Sequence, residues 1–161
     1  MFQPSLAPVG DFTAQEEDTI RRALAILERR LTWQGHGEPL HEPGNVGRYL
    51  CLRLGACDRE VFGALFLDNR RRMICFEELF AGGLTSAEVH TAVVVRRALL
   101  HNAAAVVLAH NHPSGNIEPS TADRAMTARI KDALHLVDVQ LLDHFVVSGD
   151  QSVSLAVRGW V

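Results

Sequence analysis

The stretch AAAVVLAHNHPSGNIEPSTAD, residues 103–123, runs from a β-branched apolar segment through a proline- and glycine-bearing turn into a polar, cap-like sequence. AAAVVLAH is too short and too β-branched for a helix, so it predicts an inner strand. Residues i and i+2 of a strand share a face. If the extension persists through His112, the imidazoles of His110 and His112 point the same way and can share one ion. Pro113, Ser114 and Gly115 then turn the chain, and Ser120 opens a helix with Asp123 in its first turn. Two imidazoles and a returning carboxylate make three protein ligands. They leave the fourth tetrahedral position of a zinc ion open for water, as a hydrolase requires. The same residues have a plainer reading. Ser120-x-x-Asp123 also forms a capping box with aspartate in the usual glutamate place, and H-x-H at a strand end is a weak signal by itself.

The helix opened by Ser120 runs to about Leu136. VQLLDHFVVS (139–148) and SVSLAV (152–157), joined around Gly149 and Asp150, then form a closing hairpin. Upstream, EVFGALFL (60–67), the turn DNRR and MICFEELF (73–80) predict another hairpin, whose first strand is apolar on both faces as in the middle of a sheet. Thr85 and Glu88 make a capping box that predicts a helix to about Asn102. Thr13 and Glu16 make another. After it Ile20, Leu24, Leu27 and Leu31 share one helical face until Gly35 and Gly37 end the pattern. A polar linker, GHGEPLHEPG, carries His36 and His41 as exposed residues, and a short helix over Asn45–Leu54 stops at Gly55. The fold class expected is α/β, a mixed curved β-sheet flanked by helices. Residues 1–12 form a loose lead-in, 13–58 a helical extension and 59–161 the main domain.

The whole sequence has 161 residues, 47% of them hydrophobic, which suits one compact domain. A formal charge of -3 gives no general drive toward nucleic acid, and Arg70, Arg71 and Arg72 read as a solvated turn. Cys51, Cys57 and Cys75 are odd in number and form no C-x-x-C, so they predict neither a disulfide framework nor a zinc ribbon, and a reducing, cytoplasmic setting fits. The N-terminus lacks a basic start followed by an apolar core, and no run approaches the length of a membrane span. A soluble protein is expected.

The run His110-Asn111-His112-Pro113-Ser114-Gly115, continued by Pro119-Ser120 and Asp123, resembles the RadC family, whose domain belongs to the JAMM (MPN+) metalloprotease-like fold. The resemblance extends from about Glu60 to Trp160. It is supported by Phe66-Leu67-Asp68, Glu78-Leu79-Phe80, Gly82 or Gly83, Ala98, Asn102-Ala103-Ala104, Leu142-Asp143-His144 and Arg158-Gly159-Trp160. It implies a three-layer sandwich of the cytidine-deaminase-like kind, with Zn2+ on His110, His112 and Asp123. It further implies Ser120 as the group that polarises the reacting carbonyl and Glu60 as general base, with Glu77, Glu78 and Glu88 as competitors for that role. Asp143 and His144 recur in the family pattern, and they read either as hydrogen-bond partners that orient the zinc ligands or as the end of an apolar strand. Asn111 and Ser114 are expected to shape the turn. His90, His101 and His135 read as helix-surface or packing residues.

Two departures accompany the resemblance. Relatives carry Pro-Arg-Glu after the histidine matching His90, where this chain has Thr91-Ala92-Val93. Longer relatives also have an N-terminal helix-hairpin-helix module, which residues 1–55 do not reproduce. The function implied is a zinc-dependent peptidase or isopeptidase acting on a protein or peptide. The alternatives are a DNA repair or recombination accessory, which the acidic balance disfavours as a direct DNA binder, and a non-catalytic scaffold. A dimer through the Ile20, Leu24, Leu27 and Leu31 face is also open.

Overall fold

A computed structural model describes residues 12–31, 43–82 and 89–161 of the chain. Helix α1 (Ala14–Leu31) opens with the expected reciprocal cap. The Thr13 N–H donates to Glu16 Oε2 at 2.8 Å, and the Glu16 N–H donates to Thr13 Oγ1 at 3.4 Å. Helix α2 (Pro43–Leu54) starts two residues before the expected Asn45, on a proline whose missing N–H is one of the orphan donors of a first turn in any case. It does end before Gly55, but the glycine is needed for space. A Cβ there would lie 1.9 Å from the carbonyl oxygen of Gly149, whose own N–H donates to the Gly55 carbonyl at 3.1 Å. Gly35 and Gly37, His36 and His41 lie outside the described residues.

The chain then forms β1 (Val61–Leu67), β2 (Met73–Ala81), α3 (Thr91–Leu100), β3 (Ala105–Asn111), α4 (Thr121–His135), β4 (Gln140–Ser148) and β5 (Gln151–Ser154). The first hairpin and the inner strand fall where the alternation and turn residues put them. The last strand of the closing hairpin stops at Ser154, short of the expected Val157, because the Ala156 and Val157 N–H groups turn onto Asp143 Oδ1 and Ser154 Oγ. The start of α3 also differs. The Thr85/Glu88 box lies outside the described residues, and the helix found there begins only after His90, an N-cap residue with extended backbone. It ends before Asn102, whose positive φ of 49° breaks the helical path.

The five strands form one mixed sheet in the order β2-β1-β3-β4-β5. Only β3 and β4 run parallel among these neighbours, and α4 makes the crossover between them. Alternation along β1 and β3 sends side chains to two separate cores. Val61, Leu65, Leu67, Ala105, Val107 and Ala109 pack with α1 and α2 through Leu24, Tyr49, Leu50 and Leu54. Phe62, Ala64, Phe66, Val106 and Leu108 pack with α3 and α4 through Val94, Ala98, Ile130 and Leu134. The result is a helix–sheet–helix sandwich, as expected. Ile20, Leu27 and Leu31 of α1 lie against the first core, so that face is used within the chain. Among the described residues no helix is long and apolar enough to cross a membrane.

Candidate metal centre

β3 delivers His110 to the α3/α4 face of the sheet at the strand's end, and its ring stacks beside Phe62 of β1, with centroids 6.3 Å apart. The extension carries on to His112, whose N–H donates to the Val147 carbonyl of β4 at 2.8 Å. The two imidazoles therefore converge, with Nε2 of His110 3.0 Å from Nε2 of His112. A turn through Gly115, whose φ of +87° suits glycine, returns the chain to the α4 N-terminus. There Asp123 places Oδ1 3.3 Å from His110 Nε2 and Oδ2 3.9 Å from His112 Nε2.

The capping and ligand readings of Asp123 turn out to be compatible, because the carboxylate has two oxygens. Oδ2 accepts from the Ser120 N–H at 2.7 Å and from Ser120 Oγ at 2.6 Å, while the Asp123 N–H donates to Ser120 Oγ at 3.1 Å. Oδ1 remains directed at His110. Burial works against the charge on Asp123, but hydrogen bonding and charge at His110, with the bonds from Ser120, outweigh it and hold the carboxyl well below its ordinary range. The helix N-terminus favours the same charge.

The donor set fits a metal ion. Nδ1 of His112 lies 2.6 Å from the Asn116 carbonyl oxygen, which only accepts, so Nδ1 carries the proton and Nε2 offers its lone pair to the cluster. Two imidazole nitrogens 3.0 Å apart need a proton or a cation between them, and the nearby carboxylate supplies the compensating charge. All three candidate ligand atoms lie within 4.8 Å of one another. Ser120 is exposed at the rim of this cluster.

Behind the histidines lie residues of two kinds. His144, fully buried on β4, places Nε2 2.9 Å from His110 Nδ1 and Nδ1 2.6 Å from Thr127 Oγ1 of α4. Burial first, then the neighbouring His110, push His144 well below the ordinary histidine range, so its ring is uncharged. Asp143 points to the other side of β4. Its carboxylate accepts from the backbone N–H groups of His144 at 2.7 Å and Ala156 at 2.9 Å, and from Ser154 Oγ at 2.5 Å. Burial raises its pKa against those bonds. Asp143 thus fastens the chain after β5, whereas His144 touches a candidate ligand.

Asn111, expected to shape the turn, instead reaches across to β1. Its Oδ1 accepts from the Val61 N–H at 2.7 Å and its Nδ2 donates to the Arg59 carbonyl at 3.0 Å, so it grips the backbone on both sides of Glu60. Glu60 itself stands just ahead of β1, where its carbonyl accepts from the Gly82 N–H at 2.9 Å, two residues before the Phe62 that pairs with His110. Two of the competing glutamates have partners elsewhere. Glu77 is forked by Arg97 and meets His101 Nε2 at 2.9 Å, while Glu78 faces Arg53 at 3.9 Å; Glu88 lies outside the described residues.

Cys75, Glu77 and His101 form a second cluster of ligand-type atoms. Burial, with Glu77 adding to it, pushes the Cys75 thiol up to about 11, and a cation on Glu77 would face the Arg97 guanidinium. This group is better described as an ion-paired brace between β2 and the end of α3, which agrees with the packing role expected of His101. At the chain's end, Arg158 pairs with Glu118, with Nη2 2.9 Å from Oε2, and the guanidinium groups of Arg124 and Arg158 both stand over the Trp160 ring. The C-terminal Arg-Gly-Trp thereby holds the loop that carries Ser120.

No local motif in the sequence marks Thr127 as part of this site. The available signal is a polar residue on the buried stripe of α4, beside Met126, Ile130 and Leu134.

A helix–sheet–helix sandwich presenting this cluster at a strand end is the setting in which the comparisons fall. The family model for the RadC-like JAB domain matches residues 40–160, and the chain belongs to that family. It is 56% identical over 160 residues to a UPF0758 protein of Xanthomonas campestris pv. campestris, covering 98% of this chain and 68% of that one. A UPF0758 protein of Xylella fastidiosa is 52% identical over 156 residues, covering 97% of this chain and 66% of its own length.

Proposed function

We propose that this chain is a zinc-dependent hydrolase of the JAMM type, a peptidase or isopeptidase that cleaves an amide bond in a protein or peptide. The observation that carries the reading is the convergence of His110 Nε2, His112 Nε2 and Asp123 Oδ1, a neutral-nitrogen and carboxylate set suited to zinc with one position left over. A zinc ion held there would acidify a water molecule and polarise the scissile carbonyl.

The chain's own groups do the rest. Glu60 takes the proton of the attacking water and passes it to the leaving amine, a role supported by its place at the head of β1, where Asn111, between the two candidate histidine ligands, grips the backbone on either side of it. Ser120 donates its hydroxyl proton to the carbonyl oxygen as charge builds there. Before substrate binds, the Ser120 hydroxyl donates to Asp123 Oδ2, 2.6 Å from Oγ, so it turns when substrate arrives, and its exposed position leaves room to do so. The three unpaired cysteines support a reducing, cytoplasmic setting, and the charge of -3 supports a protein partner over a nucleic acid.

The test uses a panel of peptide and isopeptide reporters with zinc-loaded protein. Glu60→Gln is expected to lower kcat by about 100-fold or more while zinc content is unchanged. Full turnover in that variant at equal zinc content would remove Glu60 from the mechanism, and no cleavage by the parent of any amide reporter would favour a binding scaffold.

A further inference from the structure

Beyond the ligands themselves, the buried face of the site contains a hydrogen-bonded chain whose direction is fixed by chemistry. Thr127 Oγ1 lies 2.6 Å from the backbone carbonyl oxygen of Asp123 and 2.6 Å from His144 Nδ1. Two oxygens that close need a proton between them. The carbonyl has none, so the single hydroxyl proton of Thr127 goes to Asp123. Thr127 is then left to accept from His144, whose Nδ1 must carry a hydrogen. His144 is fully buried and the ring bonds it makes are to a hydroxyl and an imidazole, with no carboxylate among the described residues hydrogen-bonded to it to balance a charge. The ring therefore carries one N–H, and its Nε2 is a bare acceptor. It sits 2.9 Å from His110 Nδ1, which must therefore be the donor.

We propose that Thr127 and His144 are positioning residues that hold a proton on His110 Nδ1, so that Nε2 is the nitrogen His110 has to offer a metal ion beside His112 and Asp123. The relay starts at the backbone of Asp123 and ends on the ring of His110, and thus ties two candidate ligands together through the protein interior. Both relay side chains are fully buried, so water does not compete for these bonds. His112 is fixed independently by the Asn116 carbonyl, so the two imidazoles present lone pairs by separate means. Without Thr127 the His144 proton has no acceptor on Nδ1. The ring is then free to carry it on Nε2 and donate to His110, whose own proton moves to the nitrogen that a metal needs.

The inference rests on the metal reading above for its purpose, but its first test does not. Long-range proton–nitrogen correlation spectra of the full chain, metal-free and zinc-loaded, report which ring nitrogens are protonated. His144 is expected with Nδ1 protonated and Nε2 bare in both states, and His110 with Nδ1 protonated in both. A protonated His144 Nε2 would overturn the proposal. In the second test, competition with a chromophoric chelator should show zinc affinity about 10- to 100-fold weaker in Thr127→Val and His144→Leu. His144→Gln, whose amide oxygen can accept from His110 Nδ1, should recover most of the loss. Thr127→Val is nearly isosteric, so a folded variant with parental zinc affinity would also overturn the proposal even if His144→Leu fails to fold. If the parent shows the expected protonation but takes up no zinc, the hydrolase reading fails while the assignment of the relay stands.

Discussion

Because Ser120 and Asp123 exchange three hydrogen bonds across the first turn of α4, a change at either residue alters the helix end as well as the candidate centre. The two effects separate by choice of substitution. Ser120→Ala should cost about 1 kcal/mol as a lost N-cap, whereas Ser120→Gly should cost only about a few tenths. If Ser120 also stabilises the reacting carbonyl, both variants should lose about 100- to 1,000-fold in kcat on an amide reporter. Denaturant midpoints and turnover measured side by side decide it, and full turnover in Ser120→Gly would confine the residue to capping. At this scale the H-x-H spacing and the Ser120-x-x-Asp123 cap were legible, because each is a local pattern with a local geometric consequence. Asn111 and Thr127 were not. Asn111 finds its partners around residue 60, and Thr127 meets His144 from another element, so no window of sequence contains either contact.

At the scale of elements, the Arg97–Glu77–His101 brace joins β2 to α3 and has a definite pH signature. The hydrogen bonds from Arg97, ahead of the opposing effect of burial and the bond to His101, hold the Glu77 carboxyl below its ordinary value. A carboxyl depressed in the folded state contributes stability above its unfolded pKa, and that contribution is lost as pH falls through the folded pKa. Glu77→Gln should therefore lower Tm at pH 7 by about 2–4 °C, corresponding to about 1 kcal/mol. The gap to the parent should close on acidification below the usual carboxylate range. A gap that is constant or widens toward low pH would show that the pair does not act through charge. The strands and the helices of the second half were readable because alternation and capping are short-range signals. α3 starts later than the Thr85 box implies because a capping box states where a helix can open, whereas the extended backbone of His90 sets where this one does.

For the whole molecule, the site exists only through the topology. The antiparallel β1–β3 pairing sets Phe62 beside His110 and lets Asn111 bind the backbone on either side of Glu60, the parallel β3–β4 pairing sets His144 behind His110, and the α4 crossover brings back Asp123 and Thr127. Composition and periodicity indicated an α/β sandwich, and the family resemblance its likeness to a JAB domain. The strand order and the use of both faces of β1 and β3 by separate cores depend on long-range pairing. If this topology assembles a metal centre, elemental analysis of the untagged full chain beside a His110→Ala/His112→Ala variant will show it: about one zinc per chain in the parent and almost none in a variant that remains folded. No bound metal in the parent after zinc is supplied and excess removed, or equal zinc in both proteins, would contradict it and return His110, His112 and Asp123 to turn and cap duty.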